Sequence, residues 1–173
     1  MDVEVRTIKV GPLNCSMATL ASKSTDPRLI KKQGCSFFFT FLFPLFQIRW
    51  NTSSVTTMNN MFRSAEKFNQ PLSVTWDTSN VIDMEGMWRS AKLFNQNVSM
   101  FDVAKVTSMR SMFYQAYKFN QNLNSWDVSN VVDMGGMFRE AVLFGQDLSR
   151  WDVSKVTTFE HMFQTARKFK SGT

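Results

Sequence analysis

Asp77, Asp102, Asp127 and Asp152 recur at a constant spacing in the phrases "WDTSN", "FDVAK", "WDVSN" and "WDVSK". Carboxylates stacked in register repel one another, so each needs a local donor or a shared cation. Calcium bridging is one way to supply it. The Asp-x-Ser-Asn/Lys context favours the other, an Asx-turn in which the carboxylate accepts a backbone N–H two residues on. Asn69, Asn95 and Asn120, with Gln70, Gln96, Gln121 and Gln146, form parallel sets, and amide ladders of this kind satisfy backbone groups between turns. Gly145 takes the Asn position in one copy, so the set is broken there.

Soft-metal chemistry is the next candidate, because the chain holds 12 Met. A Met ladder suits Cu(I), but most of these residues stand beside Phe at core-type spacing, which points to packing. His161 is the sole histidine, and Cys15 and Cys35 form no paired CxxC motif. Zinc clusters, a nucleophile–base–acid triad, a disulfide framework and a phosphate loop are therefore not indicated. The expectation is a non-enzymatic protein with no catalytic residues, no metal site and no cofactor.

Recognition is better sought where the copies differ. Arg63, Arg89, Tyr114, Arg139 and Gln164 follow the core aromatic of successive copies, giving a mostly basic strip with an aromatic in it. Arg and Tyr favour protein interfaces and contact acidic glycans; an ordinary solvated face is the competing reading. The net charge of +6 does not imply nucleic acid. Residues 1–49 hold 7 Lys+Arg and 3 Asp+Glu, and the remaining 13 basic and 11 acidic residues are interspersed, so nucleic acid is not an expected partner.

The elements that position these residues are set by a repeat. Val55, Val81, Val106, Val131 and Val156 open copies of V-x-x-M/F-x-x-M-F/W-x-x-A-x-x-F, at spacings of 26, 25, 25 and 25. Copies alternate in character: "VTTMNNMF", "VTSMRSMF" and "VTTFEHMF" are interleaved with "VIDMEGMW" and "VVDMGGMF". The last duplication thus involved a pair of copies. Met109, Met112, Phe113, Ala116 and Phe119 fall at i, i+3, i+4, i+7 and i+10, which predicts one face of a helix of roughly two turns. Thr57, Asp83, Ser108, Asp133 and Thr158 precede the first Met position as N-cap types. Leu148, Trp151 and Val153 predict a short strand. One strand and one helix cannot bury so many apolar side chains alone, but stacked turns can. The expected fold class is α/β, a short solenoid with one short strand and one short helix per turn.

The phrase "FNQNLNSWDVSNVVDMGGMFREA", residues 119–141, resembles the BspA-type leucine-rich repeats found in mycoplasma surface lipoproteins and in some protist and algal proteins. The resemblance covers about residues 50–169 and implies a leucine-rich-repeat-type solenoid. It also implies a surface-exposed or secreted protein that adheres to or binds a protein or glycan partner. An intracellular, cytoplasmic interaction scaffold and a non-functional fragment of a longer repeat array are the alternatives.

Three segments follow: 1–49 without repeats, a solenoid of about five repeats over 50–169, and a tail at 170–173. The run "CSFFFTFLFPLFQI", 35–48, is too short and Pro-interrupted for a membrane span of about 20 apolar residues. Membrane association through residues 36–48, an export signal, and a translated intron remnant all fit it; Phe, Ser, Leu and Pro have pyrimidine-rich codons. No lipobox precedes Cys35. The closing "KFKSGT" lacks a polar cap, so end-to-end stacking through the last turn is expected.

Overall fold

A computed structural model describes residues 52–72 and 76–170. The N-terminal segment, both cysteines and the apolar run at 35–48 lie outside the described residues. The described residues form five stacked coils, 55–72 with 76–80, 81–105, 106–130, 131–155 and 156–170, numbered 1 to 5. Each coil sets its residues over those 25 or 26 positions later in the sequence.

The expected α/β architecture is not what forms. Among the described residues there is no helix, and β-type pairing is confined to isolated parallel bridges linking Thr57, Asp83, Ser108, Asp133 and Thr158 in succession. The reason lies in where the backbone N–H groups go. In coil 3 the N–H groups of Met109, Ser111, Phe113 and Gln115 donate to Asp133, Gly135, Met137 and Arg139 carbonyls of coil 4. The alternate N–H groups of Met112, Tyr114 and Ala116 donate three residues back, to Met109, Ser111 and Phe113. An α-helix opened at Ser108 would leave its first N–H groups, those of Met109 and Ser111 among them, to caps or water and spend the later ones inside its own segment. Here half of them tie one coil to the next, which satisfies the buried backbone and joins the stack together.

That arrangement needs left-handed backbone at two places per coil. Coil 3 uses Ser111 (φ 53°) and Gln115 (φ 57°), and coil 4 uses Gly136 (φ 63°) and Glu140 (φ 59°). A series of β-turns results, and its side chains repeat at the same spacing as one face of a helix. The Asp133 carboxylate accepts the Gly135 N–H at 2.7 Å, and Asp83 accepts that of Glu85 at 2.8 Å. These are Asx-turns opening a turn series rather than helix caps. The expected strand near Leu148–Val153 is likewise absent, with the Trp151 N–H turning back to the Leu148 carbonyl at 3.0 Å.

The core is a wall of aromatic rings. Phe62, Trp88, Phe113, Phe138 and Phe163 stack in one column with centroids 5.2–6.3 Å apart. Phe68, Phe94, Phe119, Phe144 and Phe169 form a second. Within each coil the two columns touch, as at Phe113–Phe119, 3.8 Å apart. Met84, Met87, Met109, Met112, Met134 and Met137 are fully buried around them. These methionines thus line the core and leave no surface ladder in the inner coils, where Met100 of coil 2 is exposed singly. Trp126 and Trp151 donate their indole N–H to Val98 and Leu123 carbonyls of the preceding coil.

Candidate functional site

The register that stacks the core also stacks everything outside it. Asp77, Asp102, Asp127 and Asp152 form an exposed column in which each carboxylate accepts the N–H of the residue two places on, at 3.0–3.1 Å. The Ser79 hydroxyl also donates to Asp77 at 2.6 Å. The Ser79 and Ser129 hydroxyls, followed by the same residues' N–H groups, hold Asp77 and Asp127 below the usual carboxylate range. Asp152 is lowered first by the Ser154 N–H. Neighbouring charge acts in both directions: Asp152 pushes Asp127 up, while Lys155 pulls it down. These carboxylates are occupied in shaping turns, and no group of His, Cys, Asp or Glu among the described residues is arranged to hold a metal ion.

The amide columns join coil to coil. The Asn69 side-chain oxygen accepts the Asn95 N–H at 2.8 Å and the Gln96 amide at 3.0 Å, and Asn95 does the same for Asn120 and Gln121. Asn120 accepts the Gly145 N–H and the Gln146 amide, so the position that lacks Asn still receives its bond from below. These residues act in the framework.

The recognition strip has a more particular geometry. Tyr114 of coil 3 lies between two guanidinium groups: Arg89 Cζ of coil 2 is 5.0 Å from its ring centroid and Arg139 Cζ of coil 4 is 5.5 Å. Coils 2 and 4 flank coil 3, so the two cations approach the ring from either side. Arg63 shares the register one coil earlier; it is exposed and has no ion-pair or ring contact among the described residues. Arg89, Tyr114 and Arg139 are therefore brought together, and Arg63 stands apart.

Residues outside the strip's own column surround this stack. Arg110, Gly135, Gly136, Glu160 and His161 join Arg89, Tyr114 and Arg139 around a polar notch of about 410 Å³. Gly135 and Gly136 are buried and line it. Arg110 reaches across to Asp133 at 3.3 Å, and a Cβ on Gly135 would lie 3.0 Å from its Nη1. His161 Nε2 is 3.3 Å from Glu160 Oε1. The available signal was the Gly pair of "MGGMF", which removes a side chain from one column filled in every other copy and, as Gly86 does in coil 2, from the column beside it. A second hollow, of about 480 Å³, lies among polar residues including Asn97, Gln121, Asn124 and Arg150.

Fold and surface define the class: a repeat protein of closely stacked, turn-built coils whose variable columns face outward. The family described as "Mycoplasma protein of unknown function, DUF285" matches the chain twice, over residues 41–106 and 98–173, and the chain belongs to it. No curated protein and no solved structure matches. Among the described residues no helix is long and apolar enough to cross a membrane.

Proposed function

We propose that the protein is a non-enzymatic binding module that engages a protein partner through its basic–aromatic strip, displayed at the cell surface or secreted. The observation that carries this reading is the Arg89–Tyr114–Arg139 stack. Each guanidinium rests on the tyrosine ring, so its conformational freedom is already reduced before a partner arrives. Arg and Tyr are among the residue types that dominate binding energy at protein interfaces. A protein is favoured over a glycan because cations cover the Tyr114 ring from both neighbouring coils, leaving no open face for a sugar to stack upon. The likeness of 119–141 to BspA-type repeats supports adhesion and an exposed location.

Two measurements test the reading. Protease treatment of intact cells that express the full chain removes it if it is displayed; full protection, with none in the medium, counts against display. The triple variant Arg89→Ala, Tyr114→Ala, Arg139→Ala binds immobilised surface or matrix proteins at least about tenfold more weakly than the parent, with an unchanged melting temperature. Equal binding by the two proteins rejects the strip as the recognition surface.

A further inference from the structure

The notch beside the strip is built by a local omission. At the register of Asn59, Glu85, Arg110 and Glu160, coil 4 has Gly135; at that of Asn60, Ser111 and His161 it has Gly136, as coil 2 has Gly86, so coil 4 alone lacks both side chains. Two adjacent side-chain columns are thus interrupted in the same coil, and the gap opens between Arg110 of coil 3 and Glu160 and His161 of coil 5. Backbone donors do not serve the floor of this gap. The Gly135 N–H is held by Asp133 and the Gly136 N–H by the Glu160 carbonyl, so the guanidinium groups supply its recognition chemistry.

Those groups have donors to spare. A guanidinium carries five N–H donors in a planar fork. Arg110 uses Nη1 toward Asp133. Arg89 has no acidic partner among the described residues and rests only on Tyr114. Arg139 Nε is buried and lies 3.9 Å from Glu140 Oε1, too far to donate, while the side chain as a whole is 40% exposed and lines the notch. The Glu140 carboxylate is meanwhile engaged by the Gln115 amide at 3.0 Å. A planar, singly charged guest that accepts two parallel N–H bonds completes this set. Glu160 in the lining, and Asp133 paired with Arg110 beside it, disfavour a phosphate or sulfate, whose higher charge they would repel more strongly.

We infer that the notch over Gly135 and Gly136 receives a side-chain carboxylate from an acidic segment of a protein partner. The inference rests on the strip reading above and gives it a chemical class of ligand. Its test uses the full chain and a fluorescein-labelled peptide of alternating Glu and Gly, followed by fluorescence anisotropy, with the Gln–Gly peptide as control. The Glu–Gly peptide binds and the Gln–Gly peptide binds at least about tenfold more weakly. Gly135→Glu restores the residue that coil 2 has at this register, fills the notch and neutralises Arg110; it lowers affinity about tenfold at an unchanged melting temperature. Arg110→Gln, which keeps length and polarity, lowers affinity in the same direction and serves if Gly135→Glu unfolds the chain. Lys67→Ala, at an exposed residue of coil 1 outside the strip and the notch, leaves affinity unchanged.

Equal affinity for the two peptides, or unaltered binding in Gly135→Glu or Arg110→Gln, overturns the inference. A heparin fragment that binds more tightly than the peptide, and loses binding in the same variants, also overturns it by assigning the notch to sulfate. If the triple strip variant loses its protein partner while both notch variants bind like the parent, the notch assignment falls and the strip reading stands.

Discussion

A carboxylate repeated at every coil is tolerated because each one is given its own donors. Asp77, Asp127 and Asp152 are exposed, and serine hydroxyl and N–H groups two residues on hold their pKa values down. A group lowered in the folded chain stabilises it above the unfolded value, near pH 4, and loses that contribution as pH falls through the folded value. The combined Ser79→Ala, Ser129→Ala, Ser154→Ala variant therefore melts slightly below the parent at pH 6, with the difference closing by about pH 2. A melting difference that grows on acidification contradicts the assignment. At this scale the sequence is highly informative: the Asp-x-Ser phrase names both acceptor and donor, and the Asn–Gln columns follow from spacing alone. Arg89, Tyr114 and Arg139 are equally legible, because one register places them in one column. Arg110 and Gly135 are not, since their relation depends on two neighbouring columns and on a side chain that is missing.

At the scale of elements the sequence points to the wrong one for a physical reason. Met109, Met112, Phe113, Ala116 and Phe119 have the spacing of a helix face, and Ser108 is of a type that opens helices. A series of β-turns with left-handed residues at positions 111 and 115 produces the same inward pattern. The Asx-turn at Asp133 uses the same acceptor chemistry as an N-cap. Gly86 and Gly136 are the only glycines at these left-handed positions; the others hold Asn, Ser, Gln, Glu, His or Thr, which do not advertise the conformation. Because Gly136 has φ 63°, Gly136→Val should cost about 1–2 kcal/mol, read as a lower urea midpoint. A change too small to measure contradicts left-handed backbone at this site. Far-UV circular dichroism of the repeat region should also lack the double minimum of α-helix.

At the scale of the whole molecule, stability comes from contacts between neighbours in the stack, because a single coil has no core of its own. Met112 and Phe113 are fully buried, and Phe113 touches rings of the coils on both sides. Met112→Asp or Phe113→Asp should destabilise the chain on the order of 4 kcal/mol, seen as a large fall in melting temperature, while Arg63→Ala leaves it nearly unchanged. Little change in either core variant contradicts the stacked core. The bonds between coils have a further consequence for how such a chain changes over time. Each junction repeats the same donors and acceptors, from Asn60 to Glu85, Gly86 to Arg110, Ser111 to Gly135 and Gly136 to Glu160. A duplicated pair of coils finds a matching interface on both sides as soon as it is copied, so length can grow without redesign of the junctions. Novelty then needs only a substitution on the outside, and the exchange of Glu for Gly between coils 2 and 4 is one of that size.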